Sequence, residues 1–166
     1  GGMAGNNSCG GRSIRYGMMR DNVLEIEAIL FDGSTYNFGK IQNNHFNLSN
    51  GVAPKIISDL LKLAKDNQKE ILSKFPKVLR RVGGYNIDAL LPDAMANRPN
   101  GKVGDGINLS HLLVGSEGTL AYSSSITLKL SSLPSKKIMG ICHFPSFYEA
   151  MAVSYTHLRA HETHID

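Results

Sequence analysis

The first eleven residues, GGMAGNNSCGG, contain five glycines, two asparagines, a serine and one of the chain's two cysteines. Glycine lets backbone N–H groups come close to a ligand with no Cβ in the way. Asn6, Asn7 and Ser8 tolerate unusual dihedrals and offer short polar side chains. Consecutive N–H groups form a concavity that binds an anion without any charged side chain, and no Lys or Arg precedes Arg12. The block reads either as a phosphate-binding loop, with Gly2 at positive φ and its backbone N–H groups facing the ligand, or as a glycine-rich surface turn. A Rossmann fingerprint fits poorly, because no strand pattern precedes the glycines and no helical pattern follows them.

Other residue types with chemistry are scattered. Cys9 lies in the glycine block without a histidine near it in sequence, so a small thiol in a loop is its plainer role. His45, His111 and His143 stand apart; His111 before an apolar run and His143 in an apolar segment read as structural histidines. His157, His161 and His164 recur at four and three residues, a spacing that would place three rings on one helical face as in zinc sites. The basic run from Lys74 to Arg81 interleaves Phe75 and Val78 but lacks further aromatic stacking partners, and reads as a solvated helix face rather than a nucleic-acid surface.

The elements that must position these residues alternate along the chain. VLEIEAILF at 23–31 places Leu24, Ile26, Ala28 and Leu30 on one face of a strand. Asp32-Gly33 supplies a tight turn, and STYNFG a second strand. Pro54 suits the first position of a helix, and Ile56, Ile57, Leu60, Leu61, Ala64, Ile71, Leu72 and Phe75 continue it at helical spacing, with a break expected at 66–68. The stretch from RVGG to KVGDG reads as a long loop. LAYSSSITLKL sets Tyr122, Ser124, Ile126, Leu128 and Leu130 at period two, KKIMGICHF reads as another strand, and Ser146 and Glu149 have the spacing of a capping box that opens a final helix.

At 166 residues, 42% hydrophobic and 19% charged, the chain has the composition of a globular domain. No apolar run reaches the roughly eighteen residues that read as a membrane span, so no transmembrane segment is expected. Two cysteines without metal-like spacing read as reduced thiols in a cytoplasmic setting, and are too few for a cluster that takes about four. The net charge of +4 suits an anionic ligand and equally a surface with a few extra lysines.

Three blocks in this order, GGMAGNNSCGGRSIRYG, VLEIEAILFDGS and HLLVGSEGTLA, resemble the second half of the FAD-binding domain of FAD-linked oxidases, the vanillyl-alcohol oxidase and p-cresol methylhydroxylase (PCMH-type) superfamily. Within it, the chain resembles the branch of D-lactate, glycolate and D-2-hydroxyglutarate dehydrogenases. KFPKVLRRVGGYNIDAL and HFPSFYEAM resemble the large subfamily in which an iron–sulfur region follows the flavin domain. The resemblance covers residues 1 to about 151.

It implies an α/β (α+β) fold of mainly antiparallel sheet with flanking helices. Residues 1–134 would form the second subdomain of the FAD-binding domain, with a helical and loop insertion at about 43–110, and 135–152 the start of the substrate domain. From Val153 the sequence leaves the family pattern and resembles translated sequencing-adapter read-through, so 153–166 are expected to be a non-native tail, and the histidine spacing there is not expected to bind metal. The resemblance would place Gly1, Gly2, Met3, Asn6, Asn7, Gly10 and Gly11 along FAD, with Ile14 nearby. Gly115, Glu117, Gly118 and the backbone of Tyr122 would close over the cofactor. Ala121, Tyr122 and Ser123 stand where relatives carry a small residue and an aliphatic pair.

The implied activity is hydride transfer from C2 of a D-2-hydroxy acid to the flavin, giving the 2-oxo acid. The chain is expected to be a fragment of such an enzyme, inactive alone, with the catalytic base, any iron–sulfur cluster and the partner electron acceptor outside it. The longer protein would be cytoplasmic, free or peripheral to a membrane, with no nucleic-acid partner. A non-enzymatic nucleotide- or anion-binding module is the alternative of a different class.

Overall fold

The computed structural model describes residues 1–41, 52–76, 78, 80–91, 106–136 and 141–160. They divide into two compact units, Gly1–Leu130 and Ser131–Asp166.

In the first unit, the glycine block and its neighbours form three single helical turns, α1 (Gly2–Gly5), α2 (Ser13–Tyr16) and α3 (Met19–Asn22). The apolar alternation after them becomes β1 (Val23–Ile29), which pairs antiparallel with β2 (Thr35–Phe38) across the expected tight turn. Gly33 adopts φ 81°, Leu30 N–H donates to Ser34 O at 2.8 Å, and Asp32 Oδ1 accepts from the Ser34 amide at 3.0 Å and from its hydroxyl at 2.6 Å. A positive φ there is what a glycine in a tight hairpin supplies. On its other side β1 pairs antiparallel with β5 (Tyr122–Leu128), so β1 is the middle strand of three.

The inward face of β1 differs from the simple alternation. Ile26, Ala28 and Leu30 are buried as expected, but Leu24 is exposed and Val23 is buried instead. A bulge explains it. Val23 opposes Leu128 and Glu25 opposes Thr127, which leaves Leu24 as the extra residue. Asn108 Nδ2 donates to the carbonyls of Val23 and Leu24 at 3.3 and 3.1 Å, so the bulge is held in place. A second shift, between Glu27 and Ala28, changes the phase of β5. Ser123 and Ile126 are its half-buried positions, whereas Tyr122, Ser124 and Leu128 of the expected face are exposed, as is Leu130 beyond the strand. Phe38, Ile26 and Ile126 line up across the three strands. Full burial of a side chain the size of Ile26 contributes about 1.5 to 3 kcal/mol.

Helix α4 (Val52–Asp66) begins two residues before Pro54, which its first turn accommodates because N–H groups there have no intrahelical acceptor. The break expected at 66–68 falls at Asn67, whose Nδ2 donates to Leu63 O at 2.8 Å, and α5 (Gln68–Lys74) follows. Ile57, Ala64 and Ile71, seven apart, are the buried stripe. Leu72, one position further round the helix than Ile71, is exposed rather than buried. Within the region read as loop, Ile87–Leu90 forms a 3-10 turn that buries Leu90; residues 92–105 lie outside the described residues. A two-stranded ladder of β3 (Lys40–Ile41) and β4 (Ile107–Asn108) and the buried turn α6 (Ser110–Leu113) complete this core. The class is α+β, helices with antiparallel sheet, as expected.

In the second unit, the strand expected at KKIMGICHF is not formed at 141–144, which have no regular structure; 137–140 lie outside the described residues. Helix α7 (Phe147–Ala160) opens where the capping box predicts, with Ser146 Oγ accepting from Glu149 N–H at 3.3 Å. The helix continues past Val153 without a break. His157 falls within it, and His161 and His164 lie outside the described residues, as does His45.

Candidate cofactor site

Two glycine-bearing turns far apart in sequence meet at the end of the sheet. The first winds as a helix rather than an open loop: Gly1 O accepts from Ala4 and Gly5 amides at 3.0 and 2.9 Å, and Met3 O accepts from Ser8 N–H at 2.9 Å. Gly2 is accordingly not at positive φ, contrary to the phosphate-loop expectation, because it sits in the first turn of α1. The second turn follows α6. Gly115, Glu117 and Gly118 lie at φ 86°, 53° and 77°, three left-handed positions in the turn that precedes β5. Gly115 N–H donates to Ala4 O and Glu117 N–H to Gly5 O, both at 3.0 Å, and these two rungs join the turns.

Between them lies a cavity of about 430 Å³, within the usual range of small-molecule sites. Gly1, Gly2, Gly5 and Asn6 form one wall; Leu113, Ser116, Glu117, Gly118, Ala121, Tyr122 and Ser123 form the other. Six of the residues expected along the cofactor, Gly1, Gly2, Asn6, Glu117, Gly118 and Tyr122, are thus brought to one place. Tyr122 is exposed and opens β5 there. Glu117 is the one lining residue with a charged side chain.

The other expected residues are placed differently. Met3 is exposed and outside the lining, and Gly10 and Gly11 are exposed, with Gly10 N–H held by Ser13 Oγ at 2.9 Å. Ile14 lies in α2. Gly115 sits behind the wall; a Cβ there would come within 3.4 Å of Asn7 Cβ and Gly84 O. Asn7 is fully buried at φ 50°. Its Oδ1 accepts from Arg20 N–H at 3.0 Å, and its Nδ2 has no hydrogen-bond partner among the described residues. It therefore supports the wall from beneath instead of lining it.

Beneath the cavity is a buried polar layer that periodicity in the sequence does not reveal. Arg20 is buried, and its Nη1 donates to Asn86 Oδ1 at 2.8 Å. Burial pulls its pKa below the ordinary arginine value, opposed by Asp21 and Asp88 and reinforced by Arg81. Asn86 Nδ2 donates to His111 O and Val114 O at 3.1 and 2.8 Å. Arg81 pairs with Asp88 and lies 4.6 Å over the Phe75 ring, so that ring is occupied within the chain. His111 is buried in α6. Cys9 is half-buried and Cys142 exposed, both free thiols. Among the described residues, no group of three or more His, Cys, Asp or Glu is placed to hold a metal, and no helix is long and apolar enough to cross a membrane.

No family model matches the chain. Sequence similarity to characterised proteins runs over nearly all of it. The chain is 29% identical to a D-2-hydroxyglutarate dehydrogenase of Pantoea ananatis over 91% of its own length and 14% of the relative's. It is also 29% identical to a D-lactate dehydrogenase of Archaeoglobus fulgidus, over 91% of this chain and 21% of that one. A mitochondrial D-lactate dehydrogenase (cytochrome) of Arabidopsis thaliana is 25% identical over 93% and 17%. These three relatives are D-2-hydroxy-acid dehydrogenases. The chain spans 14% to 21% of the length of these three relatives, so their activity concerns much more protein than is present here. Similarity to this branch is what the resemblance of the three sequence blocks implied.

Proposed function

We propose that this chain forms one wall of the FAD site of a D-2-hydroxy-acid dehydrogenase, as part of a PCMH-type FAD-binding domain. The observation that carries the reading is the meeting of the two glycine turns around one cavity. The residues fit a flavin nucleotide. Cβ atoms added at Gly1 or Gly2 would meet no protein atom within 4 Å, so the bare backbone there leaves room for something other than the fold. The Glu117 carboxylate is an acceptor, suited to a ribityl or ribose hydroxyl and repelled by phosphate, which directs the pyrophosphate toward the Gly1–Asn6 wall. Leu113 and Ala121 offer apolar contact to a ring.

Bound flavin supplies the hydride acceptor for oxidation at C2 of the substrate. The chain's own residues bind and orient it; no lining residue is assigned as the base that takes the hydroxyl proton. In this reading residues 1–134 belong to the flavin domain and 135–152 begin the substrate domain. Residues 153–166 are foreign to the native protein, and any iron–sulfur region and the electron acceptor belong to the longer protein. The chain alone is expected to bind FAD weakly and to turn over no substrate, because binding sites draw convergent groups from several elements.

The test is the absorbance of the longer protein purified whole. A flavin spectrum bleached by D-2-hydroxyglutarate or D-lactate supports the reading. A folded, colourless protein that takes up no added FAD contradicts it and favours a non-enzymatic anion- or nucleotide-binding module.

A further inference from the structure

The hydrogen bonds behind the cavity close into a circuit through the side chains of Asn7, Arg20 and Asn86. Ala4 O accepts from both Gly115 N–H and Asn7 N–H, at 3.0 and 3.1 Å, and Asn7 Oδ1 accepts from Arg20 N–H at 3.0 Å. Arg20 Nη1 donates to Asn86 Oδ1 at 2.8 Å, and Asn86 Nδ2 donates to Val114 O at 2.8 Å, one residue before Gly115. Asn86 is 1% exposed, and its amide is fully used: Oδ1 also accepts from Arg81 Nη2 at 3.3 Å and Nδ2 also donates to His111 O at 3.1 Å. A carboxylate of the same shape would keep the two acceptor roles but lose both donors.

The circuit also touches left-handed backbone in both turns. Asn7 is one of two non-glycine residues at positive φ among the described residues, and Gly115 lies at φ 86°. At Asn7 this conformation costs energy and persists where the surroundings hold it, whereas glycine at 115 adopts it freely. Asn86 reaches both sides, Val114 directly and Asn7 through Arg20.

We propose that Asn86 is a positioning residue for the cavity. It holds the second glycine turn by the Val114 carbonyl and the first by way of Arg20 and Asn7, so that the two rungs between the turns stay in register. Without its donors the turns separate locally while the sheet stays folded. The consequence for flavin affinity rests on the function proposed above; the consequence for backbone opening does not.

Asn86→Asp in the complete chain, compared with wild type by site-resolved amide exchange, thermal melting and FAD titration, tests this. Exchange at Gly115 and Asn7 is expected to quicken by about tenfold or more, the scale of one or two net hydrogen bonds, while β1 amides at Ile26 and Ala28 keep their rates and FAD affinity falls by about tenfold. Unchanged exchange at Gly115 overturns the proposal. So does an equal rise at Ile26 and Ala28, which would make Asn86 a general core stabiliser. If Asn86→Asp does not fold, Arg20→Met carries the test at Asn7, since it leaves the Val114 carbonyl paired. If wild-type protein has no FAD affinity, the proposed function fails and the exchange rates alone decide the role of Asn86.

Discussion

The two turns that wall the cavity contain glycine for different reasons. In the second turn, Gly115 and Gly118 lie at φ 86° and 77°, where a side chain strains the backbone, and Gly115 is further crowded by Asn7 and Gly84. In the first turn, Gly1 and Gly2 have neither constraint, and an added Cβ at either meets nothing within 4 Å. Backbone conformation favours glycine at 115 and 118 in the second turn and places no such demand on Gly2 in the first. The first turn thus leaves open space beside the cavity, which is where the proposed flavin would lie along the Gly1–Asn6 wall.

The contrast breaks most sharply at Gly115. Gly115→Val should destabilise the chain by about 2 to 4 kcal/mol, combining left-handed strain with overpacking against Asn7, as a fall in denaturation midpoint. A loss below about 0.5 kcal/mol would mean that the turn is not held as described. Gly2→Val should leave that midpoint nearly unmoved, yet weaken FAD binding by about a hundredfold, the scale of two hydrogen bonds to a charged acceptor. Loss of stability and binding together would erase the distinction between the turns. Gly118→Ala isolates backbone strain, because a Cβ there has open space around it. It should cost about 1 kcal/mol in denaturant unfolding.

Asp32, exposed in the β1–β2 turn and outside the cavity lining, is the control with the smallest expected effect. Ser34 hydrogen bonds hold its pKa below the ordinary carboxylate value. Its contribution to stability is thus present above the unfolded-state value and disappears as pH falls through the lower folded one. Asp32→Ala should flatten a small acid-side slope in stability and leave FAD binding unchanged; an altered affinity would place the hairpin at the site.

Much of the scaffold could be read from periodicity and turn chemistry. Alternation gave the β1–β2 hairpin with Asp32-Gly33 at its tip, and helical spacing gave α4 and α5 with the break at Asn67. The β1 and β5 bulges could not be read this way, since a bulge depends on the partner strand and on Asn108 reaching back to Val23 and Leu24. The glycine content of the first block suggested an open loop, whereas short-range hydrogen bonds from Gly1 and Met3 wind it into α1. Composition pointed to the residues at the site, but not to which of them line it. Asn7 and Asn6 are alike in the sequence, yet one is buried beneath the wall and the other lines it. Arg20 and Asn86 were missed because their partners lie in distant segments and no local pattern marks a buried polar circuit.

Amide chemical shifts of the isotopically labelled chain, followed as FAD is added, test the central claim most directly, because they report where a weak ligand binds as well as whether it binds. The account predicts saturable shifts at Gly2, Asn6, Gly118 and Tyr122, with little change at Lys40, Ile41 or the α5 residues. No saturable shift at any residue, or shifts concentrated away from the two glycine turns, would contradict it.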